Sequence, residues 1–145
     1  MDAYTVLRES PMFAALDDEK IKSLESIATC RTVPTGTFLT VEGADQALAM
    51  FFILDGAVEV RREGQPIAAM GPGDYFGEMA LLIPDLPRTA DVITTTETSV
   101  LQITSWDIAP ILHGHPEVAV AVIEQLARML IEKDHKLAQA YKQHD

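Results

Sequence analysis

The sequence holds one cysteine, Cys30, so the chain forms no internal disulfide and lacks the thiol set for an iron–sulfur cluster or a structural zinc. Positive charge is scarce as well: 11 Lys and Arg face 22 Asp and Glu, a formal net charge of −11. A free anionic polymer is repelled by such a chain, which argues against nucleic acid as a partner. Long apolar runs are missing; the densest, residues 47–54, is far too short to span a bilayer, and no membrane insertion is expected. The opening MDAYTVLRES has neither a basic flank nor an apolar signal segment, so a cytoplasmic location is expected. All four histidines (His113, His115, His135 and His144) fall late in the chain. His113 and His115 are close, but two such residues alone make a weak metal site. A cupin-like metal-dependent enzyme needs His and Glu clustered on strands, and no Ser/His/Asp or Cys/His set can be assembled. The expectation is therefore a protein that is not an enzyme and holds no metal and no cofactor.

What is present is a chain of 145 residues with 48% hydrophobic content, enough for a single domain with a sizeable core. Three textures follow one another. Residues 1–30 read as helical: Asp17-Asp18-Glu19 suits a helix start, and Ile21, Leu24, Ile27 and Ala28 follow at helical spacing. Residues 31–104 alternate short β-branched or aromatic runs with turn residues, as in Thr37–Val41, Met50–Leu54 and Ala57–Val60. Glu63-Gly64-Gln65 reads as a hairpin tip and Gly71-Pro72-Gly73-Asp74 as a turn. Many short strands with regular turns predict a β-sandwich or barrel-like roll. Residues 105–145 return to helix. Pro110 is expected to limit or kink a first short helix, and Pro116 to open a long one. On that long helix Ile123, Leu126, Leu130, Lys133, Leu137 and Ala140 recur at steps of three and four, a heptad seam with one polar break. Such a seam packs either on the chain's own roll or on a partner helix, the latter giving a homodimer through the C-terminal helix. Arg61-Arg62 reads as a solvated strand end.

The segment FGEMALLIPDLPRTA, from Phe76 to Ala90, sets one Glu and one Arg ten positions apart in apolar surroundings. Gly77 permits close backbone approach, and Glu78-Met79-Ala80-Leu81 can form one or two helical turns. A helix start offers unpaired N–H groups to an anion. The planar fork of Arg88, set behind Pro87, can hold two phosphate oxygens at once. A carboxylate beside a phosphate makes sense if a sugar stands between them, with Glu78 accepting hydrogen bonds from hydroxyls. A Glu78–Arg88 pair that merely braces a loop satisfies the same spacing.

Taken with its neighbours, this segment closely resembles the phosphate-binding cassette of the cyclic nucleotide-binding domain family. That family includes regulatory subunits of cyclic AMP-dependent protein kinase, bacterial catabolite activators and cyclic nucleotide-gated channels. The similarity covers nearly the whole chain. It is carried by Ser10-Pro11-Met12-Phe13, by Val41-Glu42-Gly43-Ala44-Asp45, by Phe52–Val58, by Gly71–Glu78 with Pro87-Arg88-Thr89-Ala90, and by His115-Pro116-Glu117. The resemblance implies a mainly β fold: an eight-stranded antiparallel, jelly-roll-like β-roll with N-terminal helices and a long C-terminal helix. It implies a single domain over 1–145 that binds cyclic AMP (cAMP), or less favourably cyclic GMP (cGMP), and signals to a downstream protein by moving its last helix. Glu78 would hold the ribose 2′-hydroxyl and Arg88 the cyclic phosphate. Amides around Gly77, Met79, Ala80 and Thr89 would complete the phosphate cradle, with Ala90 closing the motif. Thr89, directly after the Arg, suits either a guanine contact or the phosphate, and the lean is to cAMP. The base cap is expected within Met129–Leu137. A DNA-binding domain after the last helix is not expected, since the chain ends at Asp145. The start and finish read as natural for a stand-alone sensing domain; a fragment of a larger regulator or channel is the alternative.

Overall fold

The apolar run Met50–Leu54 sits on a strand buried on both faces, which explains why it shows no polar alternation. The strand is β3 (Ala49–Asp55). Successive side chains on a strand point to opposite faces. Met50, Phe52 and Leu54 therefore meet the helices, while Ala49, Phe51 and Ile53 meet the interior of the roll. Phe52 lies against Phe13 and Tyr75, with ring centres 6.0 and 5.6 Å away, and Phe51 stacks on Phe76 at 5.2 Å. A computed structural model describes residues 1–44, 48–81, 83 and 87–143 of the chain.

Among the described residues eight strands form two four-stranded antiparallel sheets. The strands are β1 (Thr29–Val33), β2 (Phe38–Thr40), β3, β4 (Val58–Arg62), β5 (Gln65–Met70), β6 (Tyr75–Phe76), β7 (Asp91–Thr94) and β8 (Thr98–Thr104). One sheet has the order β1-β8-β3-β6 and the other β2-β7-β4-β5. Their inner faces share a core built from Phe51, Ile53, Val58, Val60, Phe76, Val92 and Val100. The hairpin tip falls where expected: Glu63 and Gly64 have φ of 53° and 76°, the left-handed pair that a two-residue hairpin turn requires. β1 begins at Thr29, two residues inside the stretch that reads as helical.

Helices cover the outer face of the first sheet. α1 (Ala3–Glu9) and α2 (Asp18–Ile27) start on the carboxylates of Asp2 and Asp17, which accept from the N–H groups of Thr5 and Lys20. A short 3-10 helix, Pro11–Phe13, joins them. α3 (Ser105–Gly114) continues through Pro110 instead of stopping there. Thr104 caps its start, Ile108 is fully buried, and the missing proline N–H removes a single hydrogen bond. α4 spans Pro116–Gln143, with Pro116 at its first turn as expected. Only its first part is anchored: Val118 and Val122 are buried, whereas Ile123, Leu130 and Leu137 of the heptad seam are more than half exposed. Leu126 of the seam packs partly buried against the core, so the chain's own packing takes one edge of the seam and leaves the rest exposed. Among the described residues no helix is long and apolar enough to cross a membrane.

Candidate functional site

The site is built where β6 leaves its sheet. Gly77 follows Phe76 with φ of 78°, a left-handed conformation that glycine takes without strain. The chain then makes a 3-10 turn, Glu78–Leu81. A side chain at 77 is barred twice over. A Cβ there would lie 2.7 Å from Nη1 of Arg88 and 2.9 Å from the Ala49 carbonyl oxygen. The guanidinium of Arg88 therefore rests directly on the glycine backbone. Its Nη2 donates to the Ala49 carbonyl at 2.8 Å, which fixes the plane of the fork.

The loop that carries Arg88 is pinned at three successive carbonyls. Gly43 N–H donates to the Arg88 carbonyl at 2.9 Å, Arg62 Nε to the Thr89 carbonyl at 3.1 Å, and the Thr40 hydroxyl to the Ala90 carbonyl at 2.9 Å. The N–H of Arg88 itself donates to Ala44 at 3.1 Å. By contrast, the N–H groups of Gly77 and Thr89 donate to no protein acceptor among the described residues. Both flank the guanidinium. Half-burial holds the Arg88 guanidinium below the ordinary arginine value. No ion pair joins it to Glu78 or to any other carboxylate among the described residues. The loop-bracing alternative that spacing allowed is therefore not what forms: Arg88 is braced by a neutral carbonyl and pairs with no carboxylate among the described residues. A desolvated cation with free amides beside it is suited to an incoming anion.

Gly77, Glu78, Arg88, Thr89 and Ala90 line one cavity of about 180 Å³. Thr40, Val60, Arg62, Met70, Phe76 and Val92 complete its wall. Glu78 also borders a second groove of about 420 Å³, shared with Met79 and with Ile123, Leu126, Met129, Leu130 and Lys133 of α4. Met79 thus turns toward α4 and away from the cavity. Ala80 lies in the 3-10 turn. Of the expected capping stretch, Met129, Leu130 and Lys133 face the turn, while Leu137 belongs to a separate groove near the helix end. Tyr75 ties α4 to the sheet: its hydroxyl donates to Met129 Sδ at 3.1 Å. The Tyr75 phenol is pushed up, first by burial and then by the charge of Glu78.

Two features were not legible in the sequence. Val60 read only as a strand residue, Arg62 read as a solvated strand end and Met70 carried no reading, yet all three line the cavity. Their β4–β5 hairpin was legible; what it faces was not. Asp45 and residues 82 and 84–86, quoted above within the motifs, lie outside the described residues.

Comparison with known proteins gives a consistent result. The family profile of the cyclic nucleotide-binding domain matches residues 30–115. The chain is 34% identical over 117 residues to the Pycsar effector protein XpPycTIR of Xanthomonas perforans, covering 81% of this chain and 38% of that protein. It is 29% identical over 136 residues to the cyclic AMP receptor protein of Thermus thermophilus, covering 90% of this chain and 62% of that one. The chain thus spans less than two thirds of either relative. Among solved structures, the N-terminal domain of a transcriptional regulator from Streptomyces coelicolor superposes with a TM-score of 0.79 at 34% identity, over 90% of this chain and 95% of that chain.

Proposed function

Because this chain belongs to the cyclic nucleotide-binding domain family, we propose that it is a single sensing domain that takes one cyclic purine nucleotide into the Arg88 cavity. One observation carries this reading. A half-buried guanidinium lies on a glycine that tolerates no side chain, flanked by free amides and without a carboxylate partner among the described residues. A singly charged cyclic phosphodiester supplies the missing counter-ion. Arg88 and the Gly77 and Thr89 amides grip its oxygens, and Glu78 accepts from the ribose 2′-hydroxyl. The base extends along Val60 and Met70 toward the rim. Cyclic AMP is the first ligand to test, in keeping with the Thermus relative's name.

The response is assigned to α4. Its contact through Tyr75 and Met129 and its apolar groove above the 3-10 turn put ligand occupancy and helix position next to each other. A ligand moves the helix only by binding its two positions with different affinity. In this reading the domain senses and does not catalyse, and the exposed seam of α4 meets a second copy or a downstream protein. The test is twofold. A 2′-deoxy cyclic nucleotide is expected to bind more weakly than its ribose parent, and amide exchange over 114–143 is expected to change on ligand addition. Equal affinities remove the role given to Glu78, and unchanged exchange removes the helix movement.

A further inference from the structure

β4 presents Val58, Val60 and Arg62 at alternate positions. Val58 and Val60 are 1% and 8% exposed and face the inside of the roll. The same alternation brings Arg62 to the inner side of its strand, at the exposed rim of the cavity. Its neighbour Arg61 is paired with Glu59, Nε to Oε1 at 2.7 Å. Arg62 is not ion-paired among the described residues; its Nε donates to the Thr89 carbonyl at 3.1 Å, and it lines the same cavity as Glu78 and Arg88. That single bond fixes the guanidinium plane. Neither of its Nη groups donates to a protein acceptor among the described residues.

An exposed carbonyl such as that of Thr89 is satisfied by water and does not call for an arginine. The single charge of a cyclic phosphate is already matched by Arg88. What remains unmatched is the edge of the base. Two residues along a strand span roughly 7 Å, about the width of a purine. A base lying flat on Val60 therefore turns its edge to Arg62. The arginine fork offers donors only. It matches the adjacent N7 and O6 acceptors of guanine with two bonds, whereas adenine offers N7 beside an amino group that is itself a donor.

We infer that Arg62 reads the base in this cavity and weights the site toward guanine, so that it narrows whatever preference the rest of the pocket has for adenine. The inference rests on the cavity taking a cyclic purine nucleotide, as argued above. Its test is calorimetric titration of the parent chain, Arg62→Ala and Arg62→Gln with cGMP and with cAMP, alongside Arg88→Ala. Arg62 is exposed, so its variants are expected to keep the parent melting temperature. Arg62→Ala should weaken cGMP binding roughly ten-fold and cAMP binding less than about three-fold, shifting the affinity ratio toward cAMP. Arg88→Ala should weaken both nucleotides alike. An equal loss for both in Arg62→Ala, or no loss for either, overturns the assignment: the residue then braces Thr89 or meets the phosphate. In that case a retained Arg88 effect leaves the broader reading standing. A parent chain that binds neither nucleotide overturns both.

Discussion

Replacing Arg88 by alanine is the sharpest perturbation the structure offers. The side chain makes one protein bond, Nη2 to the Ala49 carbonyl at 2.8 Å, and forms no ion pair among the described residues. Truncating one partner of a hydrogen-bonded charge pair typically costs about 2–5 kcal/mol of binding. Arg88 is only partly buried, so the effect belongs in the lower part of that range. We expect about 2–3 kcal/mol, a loss of roughly 30- to 150-fold in affinity at about 1.4 kcal/mol per factor of ten. Folding should respond differently. The Ala49 carbonyl loses its donor, a cost of about 1–3 kcal/mol if it stays buried and unpaired. The same change removes a partly desolvated cation, which offsets some of that cost. The variant should therefore melt modestly lower without ligand and lose most of the ligand-induced rise in melting temperature. Arg88→Lys keeps the charge but not the fork; one ammonium cannot hold the Ala49 carbonyl and two phosphate oxygens together, so its affinity should fall between parent and alanine variant. Calorimetry with cAMP and cGMP, run beside thermal melts, reads both effects. An alanine variant that binds within about three-fold of the parent would falsify the assignment of Arg88 to the ligand.

Other outcomes follow from the same geometry. Gly77→Ala places a Cβ against Arg88 and the Ala49 carbonyl in a left-handed backbone, and should cost about 1–3 kcal/mol of stability together with ligand affinity, read by denaturant melts and titration. Tyr75→Phe removes the bond to Met129, so amide exchange over 123–133 should rise in the ligand-free protein; unchanged protection would show the contact does not hold α4. Leu130→Asp together with Leu137→Asp should abolish any self-association through α4 seen by sedimentation, because both side chains are exposed in the single chain and their loss spares its core. The carboxylates of Asp17 and Asp18 are held below their ordinary values, Asp17 first by the Lys20 backbone N–H and Asp18 first by the Tyr4 hydroxyl. Depressed carboxylate values stabilise the fold above the unfolded pKa, and that stability is lost as pH falls through the folded one. Acid should therefore weaken the start of α2, and Asp17→Asn should flatten the acid limb of a melting-temperature profile.

The legible part of the fold followed from local rules that tertiary contacts did not override. Glu63-Gly64 had to turn because both residues sit at positive φ, and Pro116 opened its helix because its missing N–H costs nothing there. The cassette was legible because it concentrates residues with few substitutes: a glycine under a guanidinium, an arginine, and a turn-opening glutamate. Arg62 was hidden for a physical reason. Next to Arg61 it resembles any charged strand end, and only the alternation from Val58 through Val60, together with the loop folding back at Thr89, brings it into the cavity. Pro110 does not end α3, since burial of Ile108 and the Thr104 cap outweigh one missing hydrogen bond. The seam of α4 was visible as a pattern, but how much of it is covered depends on which stripe the roll selects, and the roll takes Val118, Val122 and part of Leu126.

The central claim is that the pinned guanidinium at 88 and the backbone beneath it recognise a cyclic phosphodiester. A single calorimetric comparison of cAMP, cGMP and linear AMP on the unmodified chain tests it most directly. The account predicts one site per chain for at least one cyclic nucleotide, with linear AMP, doubly charged and lacking the phosphodiester ring, binding far more weakly. Heat of binding equal for cyclic and linear forms, or absent for all three, would contradict it.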